Sequence, residues 1–173
     1  SAGAADLGPM VTPAQWRIVR DQLGEAVREG ARFRAGGVPV DAGSRVIPPT
    51  VVTDVPAHAR LLREETFGPV LPIVRVQDED EAIARANDTP FGLFASVWTR
   101  DEARGREVAR RLRAGGVSIN DTLSHYAVPG LPMGGVGDSG FGVRRGDDGL
   151  REMTRPRTIF QHRWGLRREP WWF

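Results

Sequence analysis

After Thr12 the apolar residues recur at three- and four-residue spacing: Trp16, Val19, Leu23 and Val27 fall on one side of a helical wheel. Thr12-Pro13-Ala14-Gln15 has the form of a capping box with proline at the first helical position, which predicts a helix to about Gly30. Ala35-Gly36-Gly37 breaks it. The following "SRVIPPTVVTDV" is rich in Val, Ile and Thr but carries Pro48-Pro49, the pattern of an edge strand. "PVLPIVRV" is an apolar, β-branched run and predicts a strand. Asp78-x-x-Glu81, ahead of Ala82, Ile83 and Ala86, then predicts a short helix.

The second half repeats this alternation. Turn chemistry in Asn87-Asp88-Thr89-Pro90 leads to a strand in "GLFASVWT", and Thr99-x-x-Glu102 opens a helix carrying Val108, Ala109 and Leu112 toward Gly115-Gly116. "GVSIN" is the next strand. Residues 129–149 are too rich in glycine for a helix or a packed strand, so this stretch is ordered only where something braces it. A helical turn is predicted at 147–153 and a strand at 157–161, before an Arg- and Trp-rich tail. Strands alternating with amphipathic helices predict an α/β fold, a largely parallel sheet with flanking helices. A length of 173 residues predicts a single domain, 1–173.

Composition narrows the chemistry by exclusion. The absence of cysteine rules out disulfides, thiolate metal sites and a cysteine nucleophile within this chain. All 24 basic residues are arginine, against 22 acidic ones, and this near balance gives no reason to expect nucleic acid as a partner. No apolar run approaches the roughly 18 residues of a membrane span, and no signal peptide is visible, so a cytoplasmic protein without membrane partner is expected.

Several motifs fail on context. Gly135-Val136-Gly137-Asp138-Ser139-Gly140 matches G-x-G-x-x-G, but "VPGLPMG" before it is no strand and "FGVRRGDDG" after it starts no helix. His58, His125 and His162 stand far apart without a partner at metal-ligand spacing, so no metal site is expected and surface or loop positions are favoured. No serine has a nucleophile-elbow context. "REETFGPV", residues 63–70, leaves two readings open. It is an acidic turn with an aromatic anchor, or a clamp whose carboxylate accepts from both hydroxyls of a sugar diol beside a flat ring.

Four blocks, "EETFGPVLPIV", "ANDTPFGLFASVWTRD", "GGVSIND" and "LPMGGVGDSGFG", resemble in order and spacing the C-terminal part of the catalytic domain of the NAD(P)-dependent aldehyde dehydrogenase superfamily. "DLGPMVTPAQ" through "GGVPV" extends the resemblance to residues 6 to about 160. The first and last blocks look closest to the class-3 branch, with a succinic-semialdehyde-like branch as neighbour.

The resemblance implies that Glu65, the second acid of its motif, holds the ribose hydroxyls beside the nicotinamide, and that Phe67 packs near that ring. Leu123, Ser124 and His125 fall where the family's final loop lines the aldehyde funnel. In the family a cysteine attacks the aldehyde, the thiohemiacetal passes hydride to NAD or NADP, and a glutamate activates water. Neither of those two residues has a match here, so no catalytic residue is assigned. The resemblance therefore implies an incomplete catalytic domain whose partners are a missing N-terminal cofactor-binding segment, an aldehyde substrate and further copies in a homo-oligomer, with 157–173 as oligomerisation strand and tail. No tight cofactor binding is expected of this chain alone. The alternative is a non-catalytic interaction module that keeps the fold.

Overall fold

The computed structural model describes residues 7–161. Helix α1 (Pro13–Arg28) starts as its sequence dictates: Thr12 is extended, and its hydroxyl accepts from the Gln15 amide at 3.1 Å. Its inner stripe of Trp16, Val19, Leu23 and Ala26 is buried. Strand β1 (Arg32–Ala35) runs antiparallel to β2 (Thr50–Thr53), and β2 runs parallel to β3 (Val70–Ile73). A single turn, α2 (Arg60–Arg63), lies between β2 and β3. Helix α3 (Glu79–Asn87) leads to β4 (Phe94–Val97), then α4 (Glu102–Arg111) and β5 (Gly116–Ile119), with β4 and β5 parallel. Short 3-10 turns at Ser124–Ala127 and Gly137–Ser139 precede α5 (Gly146–Glu152).

The chain is thus α/β, with two of its three strand pairings parallel among the described residues. Three expectations change. The strand after Pro48-Pro49 is the centre of the order β1-β2-β3 and not an edge, because both prolines precede the ladder and Thr50 is the first residue that donates into it. α4 is capped by Asp101, whose carboxylate accepts from the Arg104 amide at 3.0 Å, while Thr99 accepts one step earlier from the Asp101 amide. Residues 157–161 form no strand: Ile159 and Phe160 are exposed, and among the described residues no strand edge pairs with them. The rest of the expected strand and tail, with His162, lies outside the described residues.

The glycine-rich stretch is braced by backbone. The Val136 and Asp138 amides donate to the carbonyls of Gly92 and Pro90 at 3.0 and 2.9 Å, and the Gly92 amide donates to the Ser139 hydroxyl at 3.0 Å. A Cβ on Gly115 would stand 1.7 Å from the Gly134 carbonyl oxygen, so only two glycine-lined backbones can approach this closely. The G-x-G-x-x-G segment accordingly forms a 3-10 turn against residues 90–92, with no strand before it and no helix at its end.

The core is unevenly distributed. Trp16, Val19, Leu23, Ala26, Ile47, Val52 and Leu61 are among its members, whereas beyond residue 61 Ile83 is the sole buried hydrophobic side chain among the described residues. No helix of the described residues is long and apolar enough to cross a membrane.

Candidate functional site

The corner at 64–69 is built on α1. Arg60 opens α2, and from one turn back its Nε and Nη2 meet the two carboxylate oxygens of Glu64 at 2.9 and 2.8 Å. Its Nη1 reaches Glu25 of α1 at 3.3 Å. Gln22 of α1, 1% exposed, donates to Glu64 at 3.4 Å. The Arg60 guanidinium, with Gln22, holds the Glu64 carboxyl below its ordinary value. On the far side of the corner, Gln15 of α1 donates to the Thr66 carbonyl. Gly68 lies so close to Val19 that a Cβ would meet its Cγ2 at 2.8 Å, and the Pro69 carbonyl accepts from the Thr50 amide at 2.9 Å, tying the corner to β2.

Glu65 stands between these ties. It is exposed and has no hydrogen-bond or ion-pair partner among the described residues. Phe67 is 73% exposed and adopts φ of +41°, a left-handed conformation rare for an aromatic residue, held by the ties on both sides. The two acids of the motif therefore differ: Glu64 is a structural ion-pair partner, and Glu65 is a free carboxylate on a fixed turn beside an exposed ring. That pair of groups fits a vicinal diol and a flat ring.

The segment after β5 forms a second feature. The Asp121 carboxylate gathers the amides of Thr122, Leu123 and Ser124 and the Ser124 hydroxyl at 2.6 to 3.3 Å. Burial pushes this carboxyl up, but the Ser124, Thr122 and Leu123 amides together outweigh it, so it lies below the ordinary aspartate value. The turn so fixed places the His125 ring 3.7 Å from that of Phe94, nearly parallel at 12°, and 4.2 Å from that of Tyr126. Both ring nitrogens of His125 are buried without a partner among the described residues, so this is no surface histidine.

Ser124 and His125 line a cavity of about 480 Å³ together with Phe94, Val128, Leu131 and Met133. Leu123 is 68% exposed and does not line it. Glu65 and Phe67 thus share one turn, Ser124 and His125 share one cavity, and among the described residues no hydrogen bond joins the two places. His58 is exposed and meets Glu29 at 3.5 Å. Among the described residues no three His, Asp or Glu side chains converge to hold a metal ion. Gln22 and Arg60, which shape the corner, stand out by no motif, and Gln15 belongs by its pattern only to the capping box of α1. The available signal was the i, i+4 spacing of Arg60 and Glu64 in "RLLRE".

Comparison with known proteins places this architecture. The model of the aldehyde dehydrogenase family matches residues 1–159. A 4,4'-diapolycopene aldehyde oxidase of a Methylomonas species is 40% identical over 97% of this chain and 31% of its own length. Aldehyde dehydrogenase C of Pseudomonas syringae, solved with NAD+ and octanal, is 38% identical with a TM-score of 0.76, over 84% of this chain and 30% of that one. An NADP-dependent enzyme of Escherichia coli is 36% identical with a TM-score of 0.79, over 87% of this chain and 31% of that one. The chain spans between 30% and 35% of the length of the curated relatives it matches. With a family match across nearly its whole length, the chain belongs to the aldehyde dehydrogenase family.

Proposed function

We propose that the chain is the C-terminal portion of the catalytic domain of an NAD(P)-dependent aldehyde dehydrogenase, in which Glu65 holds the nicotinamide ribose and Phe67 flanks its ring. The carrying observation is the asymmetry of the acid pair: Arg60 and Gln22 occupy Glu64, while Glu65 is left exposed and unpaired among the described residues. A carboxylate accepting from two ribose hydroxyls fixes the sugar in orientation as well as in place. Bound there, the nicotinamide supplies the two-electron acceptor for oxidation of an aldehyde to an acid. Ser124 and His125 belong to the aldehyde funnel, with Leu123 at its outside. The apolar lining of their cavity favours a fatty or aromatic aldehyde, in line with the class-3-like form of the motifs.

The uneven core supports an incomplete catalytic domain. Trp98, Phe141, Leu150 and Met153 are each at least 67% exposed, more apolar surface than a finished domain leaves in water. The nucleophilic cysteine and the water-activating glutamate are supplied by sequence other than this chain.

A chimera tests the reading. The N-terminal part of the Pseudomonas syringae enzyme, joined to this chain at the start of the matched region, is expected to reduce NAD(P)+ with octanal. Glu65→Gln in that chimera removes charge-assisted hydrogen bonds of about 1.5–3 kcal/mol and raises KM for the cofactor roughly 10- to 100-fold. A folded, active chimera indifferent to Glu65→Gln would overturn the assignment.

A further inference from the structure

We infer that Arg60 and Gln22 are positioning residues for the ribose clamp, an inference that rests on the reading of Glu65 above. Residue 65 is flanked by two tethers that both end on α1. Ahead of it, Arg60 grips both oxygens of Glu64 and bridges to Glu25, while Gln22 donates to the same carboxylate. Behind it, Gln15 holds the Thr66 carbonyl and Gly68 rests on Val19. Between them Glu65 is the residue whose side chain is left free.

The orientation of Gln22 is set by the ionised acid it faces, since a carboxylate accepts only from the amide NH2. Its Oε1 is buried and left without a partner among the described residues, a cost borne to keep the donor on Glu64. Such an amide buried in the face of a core helix is poor packing and good anchorage. Arg60 suits the other half, because its planar fork fixes the direction of a carboxylate as well as its distance, which a lysine cannot do. An acid neutralised by three donors also stays ionised and in place beside the second acid, so the adjacent free charge is presented in one geometry. Holding the clamp before the ligand arrives lowers the ordering cost of binding.

Both the mobility of the corner and its affinity for the ligand fragment test this in the 173-residue chain by NMR. Without ligand, the Glu65 and Thr66 amides are expected to show order parameters of about 0.85, falling toward about 0.6 in Arg60→Ala and in Arg60→Lys while β2 is unchanged. With nicotinamide riboside titrated to millimolar concentration, wild-type amide shifts at 65–67 are expected to saturate. Arg60→Ala and Arg60→Lys are expected to weaken that binding roughly three- to tenfold, and Glu65→Gln to remove it. Rigid corners in both Arg60 variants, or wild-type affinity in both beside a dead Glu65→Gln, would sink the positioning role alone. Titration of Glu65→Gln indistinguishable from wild type would instead remove the clamp reading on which the role depends.

Discussion

At the scale of single residues, the corner at 64–69 separates side chains that the sequence presents as equals. Glu64 differs from Glu65 in its partners, the arginine four residues before it and Gln22 of α1. Because Arg60 depresses the Glu64 carboxyl, its contribution to stability is complete above the ordinary Glu value of 4.5 and is lost as pH falls through the lower folded value. The Glu64 carboxyl carbon followed by NMR is expected to titrate below 4.5, and in Arg60→Gln to move back up. Gly68→Ala would drive a methyl into Val19, a fully buried β-branched side chain, and is expected to cost about 1–3 kcal/mol in chemical denaturation. His125 offers the opposite case. Its ring stacks on Phe94 and neither nitrogen has a partner among the described residues, so His125→Phe is expected to leave the melting temperature unchanged or raise it. The motif "EETFGPV" was legible as a candidate site. Which acid is free was only faintly marked in the residues, by the i, i+4 spacing of Arg60 and Glu64, because that spacing counts only once the short α2 turn forms and Gln22 lies 42 residues away.

At the scale of elements, capping chemistry carried most of what could be read. Thr12 and Asp78 cap α1 and α3 where the sequence placed them, and Glu81 returns a bond to the Gln77 amide at 2.7 Å. Replacing Thr12, Asp78 or Asp101 by alanine is expected to cost about 1 kcal/mol each, read as a shift in denaturation midpoint. At α4 the pattern Thr99-x-x-Glu102 pointed to Thr99, two residues before the residue that caps the helix, Asp101. The side chain that reaches the third amide belongs to the later. β1 was missed because "RFRA" is short, charged and followed by two glycines, and it becomes a strand only by pairing with β2. The 158–160 segment shows the converse: its Thr-Ile-Phe content suits a strand, and without a partner strand among the described residues it stays unpaired and exposed. Strand formation is a property of pairs, and the partner is what a local pattern leaves out.

At the scale of the whole molecule, the halves are held by different means. Residues up to 61 enclose a hydrophobic core under α1, while the second half relies on ladder, caps, ion pairs such as Arg104 with Glu79, and glycine-to-backbone contacts. Exposed ion pairs contribute little, so hydrogen exchange is expected to be slowest in α1 and β2 and clearly faster in α4, β4 and β5. Uniform protection across both halves would contradict this division. Trp98, Phe141, Leu150 and Met153 of the second half stand exposed. A separate protein chain that covers them acts on the second half as a ligand acts on its receptor, so the stability of that half follows the partner's concentration and that of the first half does not. Diluting such a partner would then lower the thermal stability of the second half and leave that of the first where it was.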